Sequence, residues 1–198
     1  MKKLLAILLV AVLVMGCGSK RQVYRLEPET QTDLSGKWND TDARLVAEEM
    51  IDDCLRRPWL TDFVAAAGSK PVVTVGTIGN RSSEHIDTEV FTKDFERELL
   101  NSGKVRFVAA RPERPEIRQE RMEQQEYASD ETVKRMAEEL GADFILQGSI
   151  KTVVDQLEGR RVVFYQTDME LVNIESNEKV WIGTKEIKKD ITQKGNKW

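Results

Sequence analysis

The chain reads as an α/β protein, a two-layer sandwich in which helices pack against one mixed sheet of about five strands. Three observations carry that reading. In the front half, β-rich runs at Pro71–Ile78 and Val105–Val108 are separated by a stretch of helical periodicity. In the back half, three β-rich runs follow one another across turns too short for any crossover, so they must form an antiparallel meander. The length left for folding suits one domain with a core of its own.

Each element has its own signal. The folded part begins near Trp38. Ala43, Val46, Ala47, Met50, Ile51, Cys54 and Leu55 recur at helical spacing, with Asn39, Asp40 or Thr41 as cap and Pro58 as stop. A short helix from Trp59 to Ala67 ends at Gly68. After the Pro71–Ile78 strand comes a polar loop, Gly79 to His85. Then a helix from Asp87 to Asn101 places Phe91, Phe95 and Leu99 on one face, with Gly103 just beyond its end. The charged stretch Arg111–Glu126, broken by Pro112 and Pro115, is either an excursion or the lead-in to the next helix. That helix is capped by Asp130, carries Val133, Met136, Ala137 and Leu140 on one face, and stops at Gly141. Strands Phe144–Val154, Val162–Val172 and Lys179–Lys189 close the chain, joined by turns at Glu158-Gly159 and Glu175-Ser176-Asn177.

The N-terminus is an export signal. Lys2 and Lys3 precede an apolar run, Leu4–Met15, of about a dozen residues, below the roughly 18 that a membrane-spanning helix needs. Its end, Leu13-Val14-Met15-Gly16-Cys17, resembles a bacterial lipobox, which makes residues 1–16 the signal peptide and Cys17 the lipidated first residue. Two or three acyl chains, at about 0.8 kcal/mol per buried methylene, hold a protein on a membrane almost permanently. Proteins with this anchor usually carry Asp after the lipidated Cys when they stay at the inner membrane. Gly18 stands there, which points to the outer membrane, facing the periplasm. Residues 17–36 read as a polar, aperiodic tether, with a maximum reach of about 70 Å. Residues 37–191 read as the globular domain and 192–198, ending in Trp198, as a loose tail.

Composition excludes several function classes. Cleavage before Cys17 leaves 28 basic against 34 acidic residues, a net charge of −6, which argues against nucleic acid. Cys54 is the only other cysteine, on an apolar helical face, so it reads as a buried structural thiol. With His85 as the sole histidine, no metal or cofactor site is expected. The strand-to-helix turn Val75-Gly76-Thr77-Ile78-Gly79-Asn80 lacks the spacing of phosphate-binding loops, and Glu84 and Asp87 nearby repel anions. His85 has no nucleophile elbow to serve, and Glu48/Glu49, Asp52/Asp53 and Glu138/Glu139 lie on polar helix faces. The chain reads as a binder without catalytic residues. The candidate partner-binding residues are Arg160 and Arg161 beside the Gly159 turn, with Tyr165, Trp181 and Lys185 in the strands, because Arg and aromatic side chains dominate interface hot spots. The competing reading packs Tyr165 and Trp181 beneath the helices, with Trp38 and Trp59 as core or rim.

Four stretches follow the lipobox and tether in a distinctive order: DARLVAEEMIDDCLRRPWL (Asp42–Leu60), KPVVTVGTIGNRSSEHIDTEVFTKDFERELLNSGKVRFV (Lys70–Val108), AEELGADFILQGSI (Ala137–Ile150) and DMELVNIESNEKVWIGTKEIKK (Asp168–Lys189). Together they resemble the LpoB family of outer-membrane lipoproteins that activate penicillin-binding proteins. The resemblance implies a domain like the N-terminal domain of TolB. It also implies a role: docking on the periplasmic part of a bifunctional penicillin-binding protein and raising its glycan polymerisation and crosslinking. The tether is shorter than in better-known activators. The alternative is an envelope adaptor that uses the same domain for another periplasmic protein, and a hydrolase or nucleotide binder would need a polar pocket near Arg81 or His85.

Overall fold

The computed structural model describes residues 22–28, 30–110, 113–126 and 141–192. The expected signal peptide over residues 1–16, Cys17, the helix expected over Asp130–Leu140 and Trp198 lie outside the described residues. The chain divides into two compact units at Thr30. In the first, the described residues form neither helix nor strand, and Thr30 N–H donates to the Glu27 carbonyl at 2.9 Å.

The second unit holds α1 (Asp40–Leu55), α2 (Pro58–Ala67), β1 (Val72–Arg81), α3 (Thr88–Asn101), β2 (Arg106–Phe107), α4 (Arg114–Glu126), β3 (Phe144–Leu157), β4 (Arg160–Asn173) and β5 (Lys179–Thr192). Asn39 caps α1 through a capping box, its side chain accepting from Asp42 N–H while the Asp42 carboxylate accepts from Asn39 N–H, both at 3.0 Å. The Arg111–Glu126 stretch contains a helix of its own. Pro115 sits in its first turn, where a missing N–H costs nothing.

The five strands form one mixed sheet in the order β2-β1-β3-β4-β5, parallel across β2, β1 and β3 and antiparallel from β3 to β5. The sandwich expected from the sequence is the one observed. β1 runs further than its β-rich core suggests. Gly79, Asn80 and Arg81, read as loop, pair with Ser149, Ile150 and Lys151, because a partner strand can hold polar residues that local propensity would release. A register shift between Val75 and Ile78 lets both side chains reach the core, where strict alternation would turn one away.

The core lies between one sheet face and the helices. Val46, Met50, Ile51 and Cys54 of α1 and Phe91, Phe95 and Leu99 of α3 pack on Val73, Val75, Leu146, Ile150, Met169, Leu171 and Trp181. Phe91 and Phe95 meet edge to face with ring centres 4.7 Å apart, and Trp59 of α2 meets Phe144 at 5.1 Å. Trp59 also donates its indole N–H to the Cys54 carbonyl at 2.7 Å. Burial without compensating charge pushes the Cys54 thiol up to about 12, so it is inert at neutral pH. The opposite sheet face is polar where Lys151 and Thr184 both bond Asp168 at 2.8 Å and Gln147 bonds Glu170 at 2.9 Å.

Candidate interaction surface

The end of the sheet that carries the β3–β4 hairpin is built from both faces. On the helix face, β4 and β5 present Tyr165, Arg161, Lys185 and Lys189 inward, the same face as Trp181 and Ile187. Glu84, on the loop after β1, is the pivot. Its side chain is 7% exposed, and its Oε2 accepts from the Tyr165 hydroxyl at 2.8 Å and from Trp38 N–H at 3.2 Å. Arg161 Nη2 stands 3.7 Å from Glu84 Oε1, an ion pair too long for a hydrogen bond. Burial, then the hydrogen bond to Glu84 and after it the Glu84 charge, raises the Tyr165 hydroxyl well above its ordinary value, so it donates and does not ionise. The Trp38 ring lies 5.5 Å from that of Tyr165 and 5.8 Å from that of Phe91.

A second polar clamp sits beside it. Lys189, with only 10% of its side chain exposed, reaches Asp42 at 2.5 Å, Asp33 at 2.6 Å and the Lys37 carbonyl at 3.1 Å. Burial alone would lower the ammonium's pKa, but the two carboxylates outweigh it and hold Lys189 above its ordinary range. Asp42 is raised by its own burial against the pull of Lys189, whereas the more exposed Asp33 is lowered by Lys189. Gly36 completes the strap: its φ of +68° and the Ile191 side chain lying against it leave no room for a Cβ. Residues Asp33–Trp38 are thereby bound to β4, β5 and the Glu84 loop.

The five candidate residues divide between two faces. Arg161 and Tyr165 meet on Glu84 beneath the hairpin. Trp181 is buried further along the sheet, its indole N–H donating to Asp53 at 2.9 Å, and Gly183 leaves the space its ring fills. Lys185 pairs with Glu49 of α1. With Lys189 on Asp42 these contacts tie α1 to β5 at three points along their length. Arg160 alone turns to the other face, where its Nε and Nη2 bond the two Asp190 carboxylate oxygens at 3.0 and 2.6 Å. Tyr165 at 1% exposure has no surface to offer, and Trp181 is likewise buried, as in the reading that packs both beneath the helices.

The outer face of the hairpin holds what sequence reasoning missed. Cross-strand register sets Val153 beside Phe164, Asp155 beside Val162 and Leu157 beside Arg160. Val153 is 66% exposed and Leu157 78% exposed, with Phe164 and Val162 half-buried beside them on β4. With Asp155 set between Val153 and Leu157, and Arg160, Asp190, Lys188 and Lys151 around them, this group has the mixed apolar and charged makeup of a protein interface. Thr152–Leu157 has no strict apolar and polar alternation, so its pattern does not say which face the helices leave bare.

Two grooves lie away from this end. The larger, about 870 Å³, runs along β1, α3 and the start of α4 and is lined by Thr74, Thr92, Lys93, Glu96, Glu113 and Gln147 among others. Arg81 and His85 line neither, and His85 is exposed. Among the described residues no cluster of His, Cys, Asp and Glu could hold a metal, and no helix is long and apolar enough to cross a membrane.

Comparison with known proteins gives this surface a context. A comparison with curated proteins gave no match. Among solved structures, the chain is similar to the LpoB C-terminal domain from Salmonella enterica (18% identity, 66% of this chain and 93% of that one, TM-score 0.35). It is also similar to LpoB of E. coli determined by NMR (14% identity, 91% and 87%, TM-score 0.35). Lipoprotein GNA1162 from Neisseria meningitidis aligns at 14% identity over 61% of this chain and 83% of its own, with a TM-score of 0.38. The assignment rests on the sequence itself, since the family model for the peptidoglycan-synthase activator LpoB matches residues 42–187, from the capping box of α1 to Ile187 of β5. That span contains Glu84, Arg161, Tyr165 and the exposed hairpin, and the chain belongs to the LpoB family of peptidoglycan-synthase activators.

Proposed function

We propose that this chain is a non-catalytic lipoprotein, held through acylated Cys17 at the outer membrane and facing the periplasm, that binds a bifunctional penicillin-binding protein and raises its activity. The family match over residues 42–187 is the observation that carries the reading. The export signal and the apolar hairpin face support it. The docking face is the outer side of the hairpin: Val153, Leu157, Val162 and Phe164, with Arg160 and its Asp190 partner at the rim. Arg161, Tyr165, Trp181 and Lys185 serve from beneath, holding the strands that present it.

The activator supplies no reacting group. It works by binding the synthase's active conformation more tightly than its resting one, and each tenfold difference in affinity is about 1.4 kcal/mol of bias. A rigid face suits that task, because every contact ordered beforehand is one that binding need not order.

The test adds the chain, without residues 1–17, to its own organism's synthase and follows glycan polymerisation and crosslinking. A raised rate, lost when Leu157 is replaced by Asp, is expected. Capture of some other envelope protein, with no synthase bound and no change in rate, would leave the adaptor reading in its place.

A further inference from the structure

We propose that the free edge of β3, Thr152–Leu157, receives an extended segment of the partner as a sixth strand, and that this segment carries a basic side chain opposite Asp155 between two apolar ones. The inference rests on the activator reading and names the form its contact takes.

The edge exists because β1 is shorter than β3. Their pairing ends at Arg81 opposite Lys151, and the chain then turns away with Ser83 N–H donating to Thr152 Oγ1 at 3.1 Å. β3 continues for six more residues, paired with β4 as far as Leu157 opposite Arg160. Among the described residues no strand lies on the other side, so alternate N–H and C=O groups over about 20 Å are left without a strand partner. That is the length of an ordinary strand.

The sheet treats its free edges differently. β5 carries Lys185, Glu186, Lys188, Lys189 and Asp190, the charges that commonly keep an edge from pairing. Thr152–Leu157 has a single charge, Asp155, and exposes Val153, Val154 and Leu157. An edge without protection is suited to strand addition, where main-chain hydrogen bonds supply affinity and alternate side chains supply specificity.

Asp155 decides the occupant. A second copy pairing antiparallel, with Val153 against Leu157, would set Asp155 directly against Asp155, and like charges at that spacing repel. Among the described residues the Asp155 carboxylate makes no hydrogen bond or ion pair, and the residue lies between Val153 and Leu157 on the outer face. The complementary strand therefore reads apolar-x-basic-x-apolar, its apolar residues covering Val153 and Leu157.

The experiment is amide hydrogen exchange read by mass spectrometry on the full chain in detergent. The probes are a blocked Val-Thr-Lys-Thr-Leu peptide, its Lys→Glu counterpart, and the periplasmic part of the synthase. Slowed exchange confined to residues 152–157 is expected with the Lys peptide and with the synthase. Asp155→Lys should reverse the preference between the two peptides, each by about two- to five-fold. Synthase that binds while 152–157 exchange unchanged would overturn strand addition and leave the activator reading standing. Protection by the Lys peptide without synthase binding would keep the edge site and refute the activator reading. Protection that appears without peptide and grows with protein concentration would assign the edge to a second copy and overturn the proposal.

Discussion

Replacing Glu84 by Ala should destabilise the domain by about 3–5 kcal/mol, a large effect for one loop residue. The figure follows from its contacts. Glu84 Oε2 is bonded by the Tyr165 hydroxyl at 2.8 Å and by Trp38 N–H at 3.2 Å, and Oε1 faces the partly buried Arg161 guanidinium at 3.7 Å. Truncation leaves three donors beneath the hairpin, one of them charged, without the group they were arranged around. Hydrogen bonds to a charged group contribute about 1.5–3 kcal/mol, and an orphaned buried donor costs about 1–3 kcal/mol. Glu84→Gln keeps the volume and one acceptor oxygen but loses the charge facing Arg161, so about 1–2 kcal/mol is expected. Urea unfolding, followed by tryptophan fluorescence and by far-UV circular dichroism, reads both. Adding Tyr165→Phe to each completes a cycle in which the effects should be strongly non-additive. A Glu84→Ala protein within 1 kcal/mol of the parent, or effects that simply add, would refute the idea that this carboxylate ties the strap, loop and hairpin together.

Alkaline pH should weaken the fold before neutral or mildly acidic pH does. Cys54, Tyr165 and Lys189 all have raised values in the folded state, so each favours the protonated form there. Their contribution is whole below the unfolded values and is lost as pH rises through the folded ones, beginning near pH 9 with Cys54. For Cys54 alone the loss approaches on the order of 4 kcal/mol by pH 12, and Cys54→Ala should remove that part of the slope in melts taken across pH 7–11. Trp181→Phe should cost about 1–2 kcal/mol through the lost bond to Asp53. Since that bond is the main cause of the lowered Asp53 value, the substitution should also move Asp53 back up, as read by carboxyl NMR titration. Leu157→Asp, at an exposed site, should leave the melting temperature within about 2 °C while lowering synthase affinity at least about tenfold, measured by surface plasmon resonance.

Much of the architecture was legible because periodicity reports local burial. Phe91, Phe95 and Leu99 recur at i, i+4 and i+8, and all three lie in the core. The turns at Glu158-Gly159 and Glu175-Ser176-Asn177 forced the antiparallel meander, and Gly159 and Asn177 do adopt positive φ. Asn39, one of three candidate caps, is the one with a side chain placed to accept from Asp42 N–H. Strand ends were less legible, since Gly79–Arg81 are strand only by virtue of Ser149–Lys151 beside them.

Sequence alone also carried the family: the ordered stretches between Asp42 and Lys189 resemble LpoB, and the family model matches residues 42–187. What it left open was which way the polar groups point. Lys189 and Lys188 are neighbours of one type in an alternating strand, yet one is clamped between Asp42 and Asp33 and the other stands on the outer face. Tyr165 and Arg160 are both plausible hot-spot residues, and only one is at the surface. The deciding partners, Glu84 and Asp42, lie 81 and 147 residues away from Tyr165 and Lys189 along the chain. Local patterns fix what a segment becomes because neighbouring residues share its backbone. Which face is buried, and which edge stays open, depends on contacts between distant segments that only the folded sheet brings together.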